Sequence, residues 1–258
     1  MGNELVAKQE NALMTAQDMT DWGVPQQVSA QDMVIPKILA MQGLSVLVTE
    51  RKAQMGEFRD SLSGELLGSI DKPVEILPFY LQKVWDVLEE EMDNKGKPSG
   101  KFKWARTKPL VENPAHPDYN DNLPWEGEEH GVKIKNIRRF NFFCLIPSQV
   151  AEGSAMPYVL SFKSTSLKEG KKLYTTMYVR NIKADLPPAA FTFNLGGIID
   201  KNDQGSYVVP QVSSSRRATP DELKECLSWI KMINKGAVKI DESELTDVKD
   251  VTDDVGDY

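Results

Sequence analysis

Large apolar residues fall in short clusters rather than long periodic stretches, and the clusters set out a β-rich chain. Residues 74–88 are rich in β-branched and aromatic side chains and predict a strand that continues past Tyr80. Phe102-Lys103-Trp104-Ala105-Arg106 alternates ring, base, ring, small residue and base, as a strand with one polar face does. Residues 133–147 predict another strand, in which Phe140 and Phe142 share a parity that faces a core. Tyr158–Lys163 and residues 191–195 and 207–212 add three more. The first apolar cluster is Val34-Ile35-Pro36-Lys37-Ile38-Leu39. After it, Gly56-Glu57-Phe58 and Ser63-Gly64-Glu65 mark turns around a hairpin-like segment. Helical signals are fewer. Ser164-Thr165-Ser166 caps a helix over 167–183 whose apolar face is only partly formed. Thr219 as N-cap, Pro220 at N1 and Glu222 in a capping box open a second, which stops near Gly236. Six or seven strands not interleaved one-to-one with two helices predict an α+β, β-rich fold, a small antiparallel barrel with inserted helices and a C-terminal helix.

Polar segments supply the boundaries. Residues 1–33, rich in Gln, Ala, Asp and Met, read as a polar N-terminal arm with a short helix near 4–17. The folded body spans 34–240. Residues 241–258 hold eight acids, one base and no ring before Tyr258, and read as a solvated, disordered tail. Glu89-Glu90-Glu91 and the Gly/Pro/Lys run after it read as a charged loop, and 107–131, with four prolines, as a long one.

Composition changes the picture once it is divided along the chain. All 258 residues carry 31 basic and 38 acidic side chains, net −7, with 40% hydrophobic residues, enough for a sizeable core. The body has 29 bases against 25 acids. A mildly basic body is thus joined to a strongly acidic tail.

Enzymatic motifs do not appear. There is no phosphate-binding Gly-rich loop and no Gly-x-Ser-x-Gly elbow. His116 and His130 lack metal-ligand spacing, and Cys144 and Cys226 stand too far apart for a Cys-rich zinc motif. A non-enzymatic protein without cofactor or metal is expected. No stretch is long and apolar enough to span a membrane and no secretory leader is evident, so a cytoplasmic protein is expected.

Binding chemistry is better represented. Lys101, Lys103, Trp104, Arg106 and Lys108 put four bases and an indole within eight residues. Lys133, Lys135, Arg138 and Arg139, with Phe140 and Phe142, repeat the mixture. Lys163, Lys168, Lys171, Lys172, Tyr174 and Tyr178 form a third cluster. Cations that track phosphates and rings on which bases stack are what single-stranded nucleic acid requires. No zinc finger, basic zipper or clear helix-turn-helix supports sequence-specific duplex reading.

The basic-aromatic segments 101–108 and 133–142 and the tail 241–258 together resemble bacteriophage single-stranded DNA-binding proteins. Residues 34–42, Gly56-Glu57-Phe58, 63–68 and 160–166 resemble phage proteins encoded near replication genes. The resemblance implies an oligonucleotide-binding (OB-like) barrel and sequence-tolerant protection of single-stranded DNA in replication or recombination, in the host cytoplasm. It places Tyr80 and Trp104 as stacking candidates and Lys101, Lys103, Arg106, Lys135, Arg138 and Arg139 along the phosphate track. Asp253, Asp254, Asp257 and Tyr258 would recruit replication or recombination proteins. Some phage members hold a zinc through Cys and His ligands that this chain lacks. The alternatives are a protein-interaction module that inhibits a host enzyme, a single-strand annealing protein, and a nuclease built on scattered carboxylates.

Overall fold

The structure is a computed structural model that describes residues 33–94, 96–202, 205–234 and 238–240. Residues 1–32 of the arm expected over 1–33 and the tail 241–258, with its four docking candidates, lie outside the described residues; Met33, the last residue of the expected arm, belongs to the first strand. In chain order the elements are β1 (Met33–Ile35), β2 (Ile38–Ala40), α1 (Val46–Thr49), β3 (Glu57–Asp60), β4 (Leu66–Ser69), β5 (Val74–Met92), β6 (Pro98–Pro109), β7 (Glu126–Glu129) and β8 (Val132–Leu145). There follow α2 (Pro147–Ala151), β9 (Tyr158–Lys163), a 3-10 turn (Ser164–Ser166), α3 (Leu167–Tyr174), a π-helical continuation (Thr175–Asn181), β10 (Phe191–Asn202), β11 (Gly205–Arg217), α4 (Pro220–Asn234) and β12 (Val238–Ile240).

The molecule is organised around the antiparallel pair β5–β8, which runs from Leu77↔Leu145 to Glu89↔Ile134. At one end β10 and then β11 add beside β5, and β9 adds beside β8. At the other end β6 flanks β5 and β7 flanks β8, making a four-stranded arm. β2–β3–β4 form a separate three-stranded sheet, joined to β9 by a parallel bridge from Lys37 to Val159. β1 pairs in parallel with β12. The fold is therefore β-rich with antiparallel sheets and a few helices, and among the described residues the backbone pairings do not close into a barrel. The Gln42 side chain spans part of the gap. Its Nε2 donates to the Val208 carbonyl (3.2 Å) and its Oε1 accepts from the Val208 N–H (2.7 Å).

The apolar run 142–146 is continuous because β8 is covered on both faces. Phe140, Phe142 and Cys144 enter one cluster with Ile38, Phe58, Ile76, Phe162, Leu195 and the α3-side residues Leu173 and Met177. Phe143 and Leu145 enter a second cluster with Leu77, Phe79, Val159 and, from α4, Cys226 and Trp229. The shared inward parity expected for Phe140 and Phe142 is observed; they are 3% and 0% exposed. Both thiols are buried. Burial pushes Cys226 up to about 12 and Cys144 higher still.

Several boundaries differ from the sequence expectation. Glu89-Glu90-Glu91, expected as a loop, continues β5, because Arg106 and Lys103 on β6 offer these carboxylates partners. The loop expected over 107–131 is shortened to 110–125, with β7 built from Glu-Gly-Glu-Glu, a poor strand former by propensity. Pairing holds β7 in place: Glu126 lies opposite Lys135 and Glu128 opposite Lys133. His130 (φ 53°) and Gly131 (φ 80°) form the two-residue turn to β8, where both positions need positive φ. The helix expected over 167–183 is α-helical only to Tyr174 and then widens. Short helices α1 and α2 were not expected. The capping box at Thr219 forms as read: the Glu222 N–H donates to Thr219 Oγ1, and the Thr219 N–H donates to the Glu222 carboxylate. No helix among the described residues is long and apolar enough to cross a membrane.

Candidate nucleic-acid interface

The cations chosen from sequence lie together on the β5–β6–β7–β8 arm, but most of them are already paired. Arg106 bonds Glu89 (2.5 Å) and Glu129, and Lys108 bonds Glu129 (2.6 Å). Desolvation, followed by the neighbouring Arg106 charge, lowers the Lys108 pKa. β6 and β7 are opposite edges of the arm, so these pairs roll its sheet and leave a shallow cleft of about 520 Å³ lined by Glu89, Arg106, Lys108, Glu129 and His130. Arg138 bonds Asp121 (2.6 Å) and lies 5.0 Å from the Trp85 ring. Arg139 is buried against Asp86, 3.1 Å away. Lys135 is buried 4.4 Å from the Phe102 ring and 3.8 Å from Glu126. Lys101, Lys103 and Lys133 are exposed; Lys103 is 4.0 Å from Glu91, and Lys133 lies opposite Glu128 on β7. Residues 82–139 hold eleven Lys and Arg and eleven Asp and Glu, so the arm is electroneutral.

The aromatic candidates separate. Tyr80 is half-buried and packs edge-on against Phe143, 5.5 Å between centroids, beside the second core cluster. Trp104 is half-buried on the arm, and its indole N–H is buried without an acceptor among the described residues. The two rings belong to different regions of the molecule and do not make one stacking platform.

The third sequence cluster behaves differently. Residues 163–183 contain six bases and one acid, so the body's excess positive charge resides there. The helix is fixed from beneath: Leu173 and Met177 plug the first core cluster, and Gly170 sits so close to Phe162 that a Cβ would lie 2.8 Å from the Phe162 Cβ. The opposite side therefore faces water. Lys168, Lys171, Arg180 and Lys183 are exposed and make no ion pair among the described residues, while Lys172 pairs with Glu169 (2.5 Å). Tyr174 and Tyr178 stack, with centroids 5.5 Å apart and planes 26° apart. Burial pushes the Tyr178 hydroxyl up to about 12. Lys83 arrives from β5 with its Nζ 4.0 Å from the Tyr174 centroid. Both rings rest partly buried against the first core cluster. Four exposed cations on the same helical segment as a partly exposed ring pair can receive a chain of phosphates with unpaired bases.

Lys83, Arg180 and Lys183 were not singled out in the sequence. The charge ratio of the 163–183 window carries the signal for Arg180 and Lys183. Lys83 has no local signal, because it reaches the helix only through the β5 packing.

No curated protein and no solved structure matches the chain. The sequence model described as Pam3 phage gp34-like protein matches residues 6–239, and the chain accordingly belongs to the Pam3 phage gp34-like family of phage proteins.

Proposed function

We propose that this phage protein binds single-stranded DNA in a sequence-tolerant way during replication or recombination, through the basic helical surface of 163–183. The observation that carries the reading is the set of exposed cations Lys168, Lys171, Arg180 and Lys183, without an ion-pair partner among the described residues, on the helical segment that carries the Tyr174–Tyr178 pair. The arm cations contribute less, since a strand would have to compete with Glu89, Glu129, Asp86 and Asp121 for them. Lys101 and Lys103 extend the track. The β5–β8 pair, with β9–β11 and the β2–β3–β4 sheet wrapped round one core cluster, supports an open barrel of oligonucleotide-binding type as scaffold. The acidic tail 241–258 recruits partner proteins and competes for the same surface.

The test is fluorescence anisotropy of a labelled poly-dT strand of about 30 nucleotides at two or more salt concentrations, with a duplex control. Each single-strand phosphate contact contributes about −0.7 to the slope of log K against log salt. Replacing Lys168, Lys171, Arg180 and Lys183 together by Ala should weaken binding and flatten that slope by about 3. Wild-type protein that ignores the single strand at low salt, or prefers the duplex, sinks the reading.

A further inference from the structure

Lys83 is an unusual member of the basic surface because a carboxylate covers it. Its side chain is only 12% exposed. Its Nζ lies over the Tyr174 ring and 5.3 Å from the Phe140 centroid. Both oxygens of Glu112 accept from that Nζ, at 2.8 and 2.9 Å. Glu112 is 49% exposed and stands at the start of the 110–125 segment. The segment is anchored on both sides of Glu112: the Trp85 indole donates to the Asn120 carbonyl (3.0 Å), and Asn120 Oδ1 accepts from the N–H of Val111, the residue before Glu112 (2.8 Å). The backbone leading into Glu112 is held as well: the Leu110 N–H donates to the Lys83 carbonyl (3.0 Å) and the Asn120 N–H to the Val111 carbonyl (3.2 Å), so uncovering Lys83 needs only the half-exposed Glu112 side chain to turn away. Lys171 precedes Tyr174 by three residues and shares its side of α3.

A carboxylate holding two oxygens on one ammonium beside the Tyr174 ring, one helical turn from a further exposed lysine, occupies the place a phosphate would take. We infer that Lys83, Lys171, Tyr174 and Tyr178 form a nucleotide subsite for a single strand, and that Glu112 fills its phosphate position until a strand phosphate replaces it on Lys83. This rests on the single-strand reading above. In the exchange Lys83 keeps a compensating anion throughout, Glu112 moves into solvent, and a base packs against the tyrosine pair. A partly exposed ion pair holds its partners by no more than about fivefold, so one contact of a multiply charged strand suffices to displace it.

The experiment compares wild type, Glu112→Gln, Lys83→Gln and Lys83→Arg. Each is titrated with labelled poly-dT and photocrosslinked to a strand carrying 5-iododeoxyuridine, and thermal unfolding checks that each variant is folded. Glu112→Gln should bind about two- to fivefold more tightly and crosslink more strongly to the peptide holding Tyr174 and Tyr178. Lys83→Gln should lose that crosslink, and Lys83→Arg should keep it. If wild type binds the strand but Glu112→Gln matches it and the crosslink falls elsewhere, the subsite is wrong and the basic-surface reading survives. If wild type binds no strand at any salt, both fall together. If millimolar inorganic phosphate erases the crosslink without weakening overall binding, Lys83 serves a free anion and the nucleotide subsite is overturned.

Discussion

At the scale of single residues, identical side chains do opposite work according to their neighbours. Arg139 and Arg180 carry the same guanidinium, but Arg139 is 3% exposed beside Asp86 and Arg180 faces water. The Arg139 head is held by Asp86 and, at 3.4 Å, by Thr107 Oγ1, which in turn bonds Asp86. Removing one partner of a buried ion pair leaves a charge uncompensated and costs about 3–5 kcal/mol. Arg139→Met should therefore lower the unfolding free energy by about that amount in a denaturant titration. Arg106→Met, whose ion pairs are about a third exposed, should cost no more than about 1 kcal/mol. An Arg139→Met variant as stable as wild type would mean that the pair is not formed.

Among the elements, α3 shows how packing presents chemistry. A glycine inside a helix is unfavourable by about 1 kcal/mol relative to alanine, so Gly170→Ala would stabilise an isolated helix. In the folded chain the new methyl would meet the Phe162 Cβ at 2.8 Å and its Cγ at 3.1 Å, and both are fixed by β9. Overpacking of this kind costs about 1–3 kcal/mol and outweighs the propensity gain. Gly170→Ala should lower the melting temperature and, by displacing the helix, weaken strand binding as well. A raised melting temperature would show that β9 gives way. β11 illustrates a different constraint. Among the described residues it has one strand neighbour, β10, and Gln42 takes both backbone groups of Val208 on the outer edge. Pro210, two residues on, points the same way and has no N–H to offer, so this edge is protected against pairing with another chain.

Across the whole molecule, charge is sorted into three zones: a neutral arm over 82–139, a basic helical surface over 163–183 and an acidic segment over 241–258. Under the proposed single-strand reading, an acidic segment of net −7 on the same chain as a surface of net +5 would compete with nucleic acid at low ionic strength and lose influence as salt screens it. Deleting 241–258 should tighten binding of poly-dT at low salt, and the gain should shrink as salt rises. Equal affinities for full-length and truncated protein at low salt would remove the competition, leaving the segment a role in recruiting partners.

The β-rich class, the inward parity of Phe140 and Phe142, the capping box at Thr219 and the surplus of bases over 163–183 were all legible in the chain. Each depends on residues within a few positions of one another, where side-chain alternation, cap chemistry and local charge act directly. The fate of the arm cations was not legible. Arg106 meets Glu129 across 23 positions and Arg139 meets Asp86 across 53, and such meetings follow from strand register and sheet curl. The same holds for Glu89-Glu90-Glu91, which becomes strand because β6 and β8 supply partners. Lys83 joins Tyr174 through the β5–β8 scaffold, not through any local pattern. A charge is visible in a sequence, but whether it is spent on a neighbour or left to meet a ligand depends on distances of a few ångströms that only the packed chain creates.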